Sequence, residues 1–255
     1  MLRFSANLSF LFLDRPFLDR FAAAAANGFK AVEFHFPYAF PVDEIVDAAH
    51  RAAVEVVLFN FPAGDWAAGE RGIACLPDRV AEFREGVELA ARYAEALACP
   101  RVNCLAGRRP DGVDEALLTA TLVDNLRHAA DAFALAERQV LMEPLNSRDT
   151  PGFLIDRTAP ALAVLDAADR PNLGLQYDIY HAQVMEGDLA RTLESALPRI
   201  GHIQLADNPG RHQPGTGEIN FPVLFRHLKA IGYGGWIGCE YVPTGPTEDS
   251  FGWMI

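Results

Sequence analysis

Residues Arg138 to Asn146 read RQVLMEPLN. Val140, Leu141 and Met142 form an apolar run of the length of a buried strand; Glu143 ends it and Pro144 blocks regular continuation. A carboxylate at the end of a hydrophobic strand is costly to bury unless it shares a metal, a cation or a proton. Three later segments have the same form: LGLQYD closes on Asp178, IGHIQ on Gln204 and WIGCE on Glu240. The pattern is read as four strand ends whose oxygen-bearing side chains, Glu143, Asp178, Gln204 and Glu240, converge on one divalent metal.

Working outward, further strands are expected over 3–8, 30–35, 54–60 and 101–105. Helices are expected over 16–27, 42–53, 77–98, 113–137, 182–197 and 221–231. Pro16 and Pro77 sit where a helix tolerates a missing N–H, Gly28 ends the first helix, and Thr158 is expected to cap the helix that carries Pro160. The 182–197 segment is broken near Gly187 and restarted by Asp188. The stretch from Phe61 to Leu76 is long for a strand–helix connection, and such loops are often functional. Strands alternating with helices imply a parallel sheet, and eight such units suit a closed (β/α)8 TIM barrel in one domain over residues 1–255. A doubly wound sheet is the rival, but no GxGxxG follows the first strand. In a barrel all parallel strands end on one face, so the ends of strands five to eight meet there.

Half of the 255 residues are hydrophobic, enough for a substantial core. The net charge of −12 opposes nucleic acid as the main partner, while leaving a small anionic substrate open to one or two arginines. Cys75, Cys99, Cys104 and Cys239 show neither a CxxC pair nor a zinc-like grouping, and are read as buried hydrophobes in a reducing compartment. LSFLFL near the start is interrupted by Asp14, Arg15 and Asp19, unlike a signal peptide, and no membrane span is expected. The expected location is cytoplasmic.

Three carboxylates and an amide oxygen make a hard site that favours Mg²⁺ or Mn²⁺ over zinc. On such a metal a hydroxy-carbonyl substrate has an acidified C–H. One glutamate can remove that proton and one can return it to the neighbouring carbon, which is aldose–ketose isomerisation; action on two faces of one carbon is epimerisation.

Glu143 in EPLN, Asp178 in YDIYH, Gln204 in HIQ, the PGTGEI turn and Glu240 in CEY resemble the hydroxypyruvate isomerase family of xylose-isomerase-like TIM barrels. ANLSFLF near the start and FPAGDWAAGERG over Phe61–Gly72 are also similar to that family. The resemblance implies that Glu143 and Glu240 are the acid/base pair and metal ligands, with Asp178 and Gln204 completing the site. Sugar-epimerase relatives usually carry histidine at the place of Gln204. The same resemblance has His181 contacting substrate hydroxyls and Arg211 binding substrate oxygen or the carboxylate of hydroxypyruvate. Arg71 is a second carboxylate-clamp candidate, with Glu70 its structural neighbour. His202 shares the face of Gln204 and belongs behind it, and His35 and Glu33 line the pocket. The implied activity is interconversion of hydroxypyruvate and tartronate semialdehyde. A 2-oxo-tetronate isomerase, a ketose 3-epimerase and a non-catalytic sugar-acid-binding barrel are the alternatives. Apurinic endonucleases share the fold but use more histidine ligands. A homo-oligomer is compatible with the resemblance.

Overall fold

In the computed structural model, which describes residues 1–254, the apolar runs become eight parallel strands joined in chain order into a closed barrel. They are β1 (Arg3–Asn7), β2 (Ala31–Glu33), β3 (Glu55–Asn60), β4 (Arg101–Cys104), β5 (Gln139–Met142), β6 (Leu173–Asp178), β7 (Ile200–Leu205) and β8 (Trp236–Cys239). Closure is made by β1 against β8, with Arg3 opposite Trp236 and Ala6 opposite Cys239. The helices are α1 (Arg20–Ala26), α2 (Val42–Ala52), α3 (Val80–Ala96), α4 (Glu115–Ala134), α5 (Thr158–Ala168), α6 (Ile179–Met185), α7 (Leu189–Ala196) and α8 (Phe221–Ala230). The expected TIM barrel is therefore the fold.

Three local expectations are corrected. The first and third helices start as short 3-10 turns, Phe17–Asp19 and Pro77–Arg79, so their α-helical portions begin later. The helix expected from residue 182 starts at Ile179, directly after the strand, because Asp178 accepts from the Tyr180 N–H and caps it. Thr158 does not cap its helix. Its N–H and hydroxyl both donate to Glu186 Oε1, at 2.9 and 2.8 Å, so a carboxylate from beyond α6 serves that terminus.

Alternation along each strand divides the sheet into a face against the helices and a face toward the lumen. Val140 and Met142 of β5 join the continuous apolar core between sheet and helices. Leu141 points the other way: a Cβ on Gly201 of β7 would come 2.5 Å from its Cδ2, and one on Gly174 of β6 would come 3.0 Å from it. Leu141 thus plugs the lower lumen between two glycines. Above the plug the lumen is polar, with Ser5, Asn7, Glu33, Asn103, Gln176, His202 and Gln204 all buried. The four cysteines are buried and unpaired. Among the described residues no helix is long and apolar enough to cross a membrane.

Candidate active site

Strand ends lie level around the barrel, as Asn7 beside Glu33, Asn60 beside Asn103, and Asp178 beside Gln204 show. Glu143 follows β5 by one residue and Glu240 follows β8 by one, and both are buried. Each lines the same cavity of about 180 Å³ at the C-terminal end of the barrel, with Arg71, His181 and Arg211. Trp66, Phe10 and Leu145 supply much of its apolar wall.

The two glutamates sit in different surroundings. Glu240 Oε2 accepts from Asn7 Nδ2 at 2.7 Å and from Gln204 Nε2 at 2.6 Å, while His35 Nε2 lies 3.4 Å away. Its other oxygen pairs with Arg211. Burial pushes its pKa up, but His35 and Arg211 outweigh burial and hold the carboxyl below its ordinary range. Glu143 has one amide donor, Asn103 Nδ2 at 2.9 Å. Burial first, then the charges of Glu240 and Asp178, raise its pKa well above the ordinary carboxyl value.

Asp178 spends Oδ1 on the cap of α6, at 2.7 Å from the Tyr180 N–H. Its Oδ2 is buried and has no hydrogen-bond partner among the described residues. The nearest cation is Arg211 Nη2 at 3.5 Å, and burial lifts the carboxyl to about 7 despite it. Arg211 stands in the left-handed region at φ 55°, and its guanidinium lies 4.8 Å from the Phe10 ring centre and 5.2 Å from that of Tyr180. Shared between Asp178 and Glu240, it is already committed to two carboxylates.

Gln204 is tied into a polar layer of the lumen. Its Nε2 is held between two carboxylates, donating to Glu33 Oε1 at 2.8 Å as well as to Glu240, while its Oε1 accepts from Gln176 Nε2 at 2.7 Å. An amide pressed between carboxylates must present N–H to both. Its oxygen is engaged by Gln176 in this arrangement. Glu33, expected only as lining, organises this layer. It also accepts from Ser5 Oγ at 2.7 Å and Asn7 Nδ2 at 3.2 Å, and pairs with His202 Nε2 at 2.8 Å. Because β2 and β7 are not neighbours, the Glu33–His202 contact crosses the lumen. A Cβ on Gly238 would lie 2.1 Å from Glu33 Oε1, so glycine there makes room for the carboxylate.

Oxygen or nitrogen atoms of Glu143, Asp178 and His181 lie within 4.8 Å of one another, a group that could hold a cation. The unpartnered Asp178 Oδ2 fits that purpose, and two carboxylates suit a hard ion whose remaining positions go to water or substrate oxygen.

Over the cavity, the loop after β3 brings Trp66 against Phe36, with ring centres 4.9 Å apart. Arg71 lies 3.9 Å over the Trp66 ring, and its Nη1 donates to the Trp66 and Glu70 carbonyls at 3.1 and 2.7 Å. No carboxylate pairs with Arg71 among the described residues, since Glu70 instead binds Arg79 at 2.5 Å. The chain-order pattern missed Asn7, Asn60 and Asn103. Each is a polar residue in the last two positions of an apolar strand, so the signal found at β5 to β8 was present at β1, β3 and β4 as well.

Comparison with known proteins agrees over the whole chain. Residues 21–255 match the family model described as xylose isomerase-like TIM barrel. The chain is 50% identical over 254 residues to hydroxypyruvate isomerase of Escherichia coli (strain K12), covering 100% of this chain and 98% of that protein. It is 45% identical over 253 residues to 2-oxo-tetronate isomerase of Pectobacterium atrosepticum, covering 99% and 97%. A crystal structure from Brucella melitensis, described as an AP endonuclease, family 2, superposes with TM-score 0.97 at 45% identity, covering 100% and 98%.

Proposed function

The chain belongs to the xylose isomerase-like TIM barrel family, and from that premise we propose that it isomerises a small 2-oxo hydroxy acid, interconverting hydroxypyruvate and tartronate semialdehyde. The observation that carries this reading is a pair of buried glutamates in opposite environments on one small cavity. Glu240, with two amide donors and a guanidinium, is held as a carboxylate and is the base. Glu143, with a single amide donor among the described residues and its pKa raised by burial and by the charges of Glu240 and Asp178, is the acid.

Glu240 takes a proton from C3 of hydroxypyruvate, the C–H electron pair forms a C2=C3 double bond, and the carbonyl oxygen takes a proton from water. Glu143 then gives its proton to C2 while the C3 hydroxyl returns its own to water and becomes the aldehyde, and exchange with solvent moves the proton from Glu240 back to Glu143. Glu143 and Asp178 are the residues that would hold Mg²⁺ or Mn²⁺. When bound, such an ion polarises the carbonyl and acidifies the neighbouring C–H. Arg211 serves Glu240 and Asp178, which leaves Arg71 to hold the substrate carboxylate, with Trp66 beneath it.

A cavity of about 180 Å³ is small beside the ≈ 300–1,000 Å³ usual for larger ligands, which favours three- and four-carbon acids over ketohexoses. The relatives named 2-oxo-tetronate isomerase support the four-carbon acid as a second reading. Turnover of hydroxypyruvate, 2-oxo-tetronate and a ketohexose, compared by kcat/KM with and without Mg²⁺ or Mn²⁺, tests the proposal. The expected order places one of the two acids first and the ketohexose far behind. A preferred ketohexose would move the activity to epimerisation, and binding without turnover of any of them would leave a binding barrel.

A further inference from the structure

Asn146, which closes the Glu143–Asn146 run, has no part in the reaction above, yet it is wholly buried. Its Oδ1 accepts from the backbone N–H groups of Arg148 and Asp149, at 3.1 and 2.8 Å. Those two donors decide which end of the amide is oxygen. Its Nδ2 therefore faces Asp149 Oδ2 at 3.0 Å and His181 Nδ1 at 2.6 Å. The backbone N–H of Asn146 reaches the same ring nitrogen at 3.2 Å. Two donors converge on Nδ1, and a ring nitrogen that accepts carries no proton. The imidazole proton then belongs on Nε2, which lies 3.6 Å from Asp178 Oδ2 and 3.9 Å from Glu143 Oε1.

We propose that Asn146 is a positioning residue that locks His181 in its Nε2–H tautomer, making it a hydrogen-bond donor to substrate oxygen rather than a cation ligand. A ligating histidine offers one lone pair and gives its other N–H to an acceptor. At His181 the other nitrogen meets two donors instead, so the group of Glu143, Asp178 and His181 divides into two ligands and one donor. Two donors facing Nδ1 leave that nitrogen no proton, so the ring is uncharged. A substrate oxygen between Glu143 and Asp178 is flanked by carboxyl groups, and the His181 Nε2–H supplies it with a donor. The identity of that oxygen rests on the proposed isomerase reading; the tautomer does not.

Long-range ¹H–¹⁵N correlation on protein labelled at histidine reads the tautomer directly, with His181 assigned by its loss in His181→Gln. Near neutral pH the wild type is expected to show a pyridine-like Nδ1 and a pyrrole-like Nε2, unchanged by saturating Mg²⁺. Asn146→Asp keeps the oxygen that caps Arg148 and Asp149 and puts a carboxylate against Nδ1. The proton should move to Nδ1, and kcat for the acid substrate should fall about tenfold or more, with KM changed less. Asn146→Ala leaves only the backbone donor and should show a mixture of tautomers, which decides the matter if the Asp variant fails to fold. A pyrrole-like Nδ1 in the wild type, or a tautomer unaltered by either substitution, would overturn the proposal. A wild-type Nε2–H signature without turnover of any acid would sink the isomerase reading alone.

Discussion

Glu143 and Glu240 are the same residue type at equivalent strand ends, and their neighbours alone make them different. Asn7, Gln204 and Arg211 surround one, while among the described residues Asn103 alone donates to the other. Glutamine at either position keeps the shape and removes the transferable proton. Glu143→Gln and Glu240→Gln are each expected to lower kcat by at least about a hundredfold, measured on hydroxypyruvate, with the fold intact by circular dichroism. Asp178 links the site to stability. Unfolded, it loses its proton near 3.8; folded, burial holds the proton until about 7. Between those values the folded chain binds more protons, so its stability falls as pH rises and then levels off. Asp178→Asn lacks this loss and can still cap α6. Without added divalent cation its Tm is expected to gain on wild type from about pH 4 to about 7, the span of those two values, and to hold that gain above. A constant Tm difference across the titration would refute the assignment. At this scale the carboxylates could be read from sequence because each breaks an apolar run. The direction of the Gln204 amide could not, because it is decided by Glu33, which is remote in the chain and reaches it across the lumen.

At the scale of elements, each strand could be read from its apolar run, but helix starts depended on partners elsewhere in the chain. Thr158 has the composition of a cap, yet Glu186 takes its hydroxyl and N–H, a contact no local pattern contains. The loop after β3 carries Arg71 and Trp66 over the cavity, and Gly72 fixes its exit. Gly72 stands at φ +106°, and a Cβ there would come 2.3 Å from the Leu105 carbonyl oxygen. Both facts make Gly72→Ala strained, through backbone and space together. The variant is expected to shift Arg71 and raise KM for the acid substrate about tenfold or more, with kcat altered less, as loss of uniform substrate binding requires. An unchanged KM would show that this loop does not hold the substrate. The four backbone N–H groups gathered by Asp207, from Asn208, Gly215, Gly217 and Ile219, hold the loop after β7 that presents Arg211.

For the whole molecule, alternation of strand and helix made the barrel legible, and closure of β1 on β8 follows from it. The polar lumen was less legible. Strands covered on both faces read as continuous apolar runs, so the face taken by Leu141 or Glu33 is hidden until the barrel closes. Closure stacks the molecule in layers, with Leu141 between glycines below, the Glu33 network in the middle, and the two glutamates with the cavity at the top. That stacking places a base and an acid on one substrate and gives each its own proton, which is the central claim. Hydroxypyruvate turned over in D₂O and followed by proton NMR tests it most directly. With two separate carboxyls, the proton delivered to C2 comes from solvent-exchanged Glu143, so tartronate semialdehyde should carry deuterium at C2 from the first turnover. Product carrying protium at C2 would mean that the C3 hydrogen migrates directly or through one shielded base, and the two-glutamate account would be wrong.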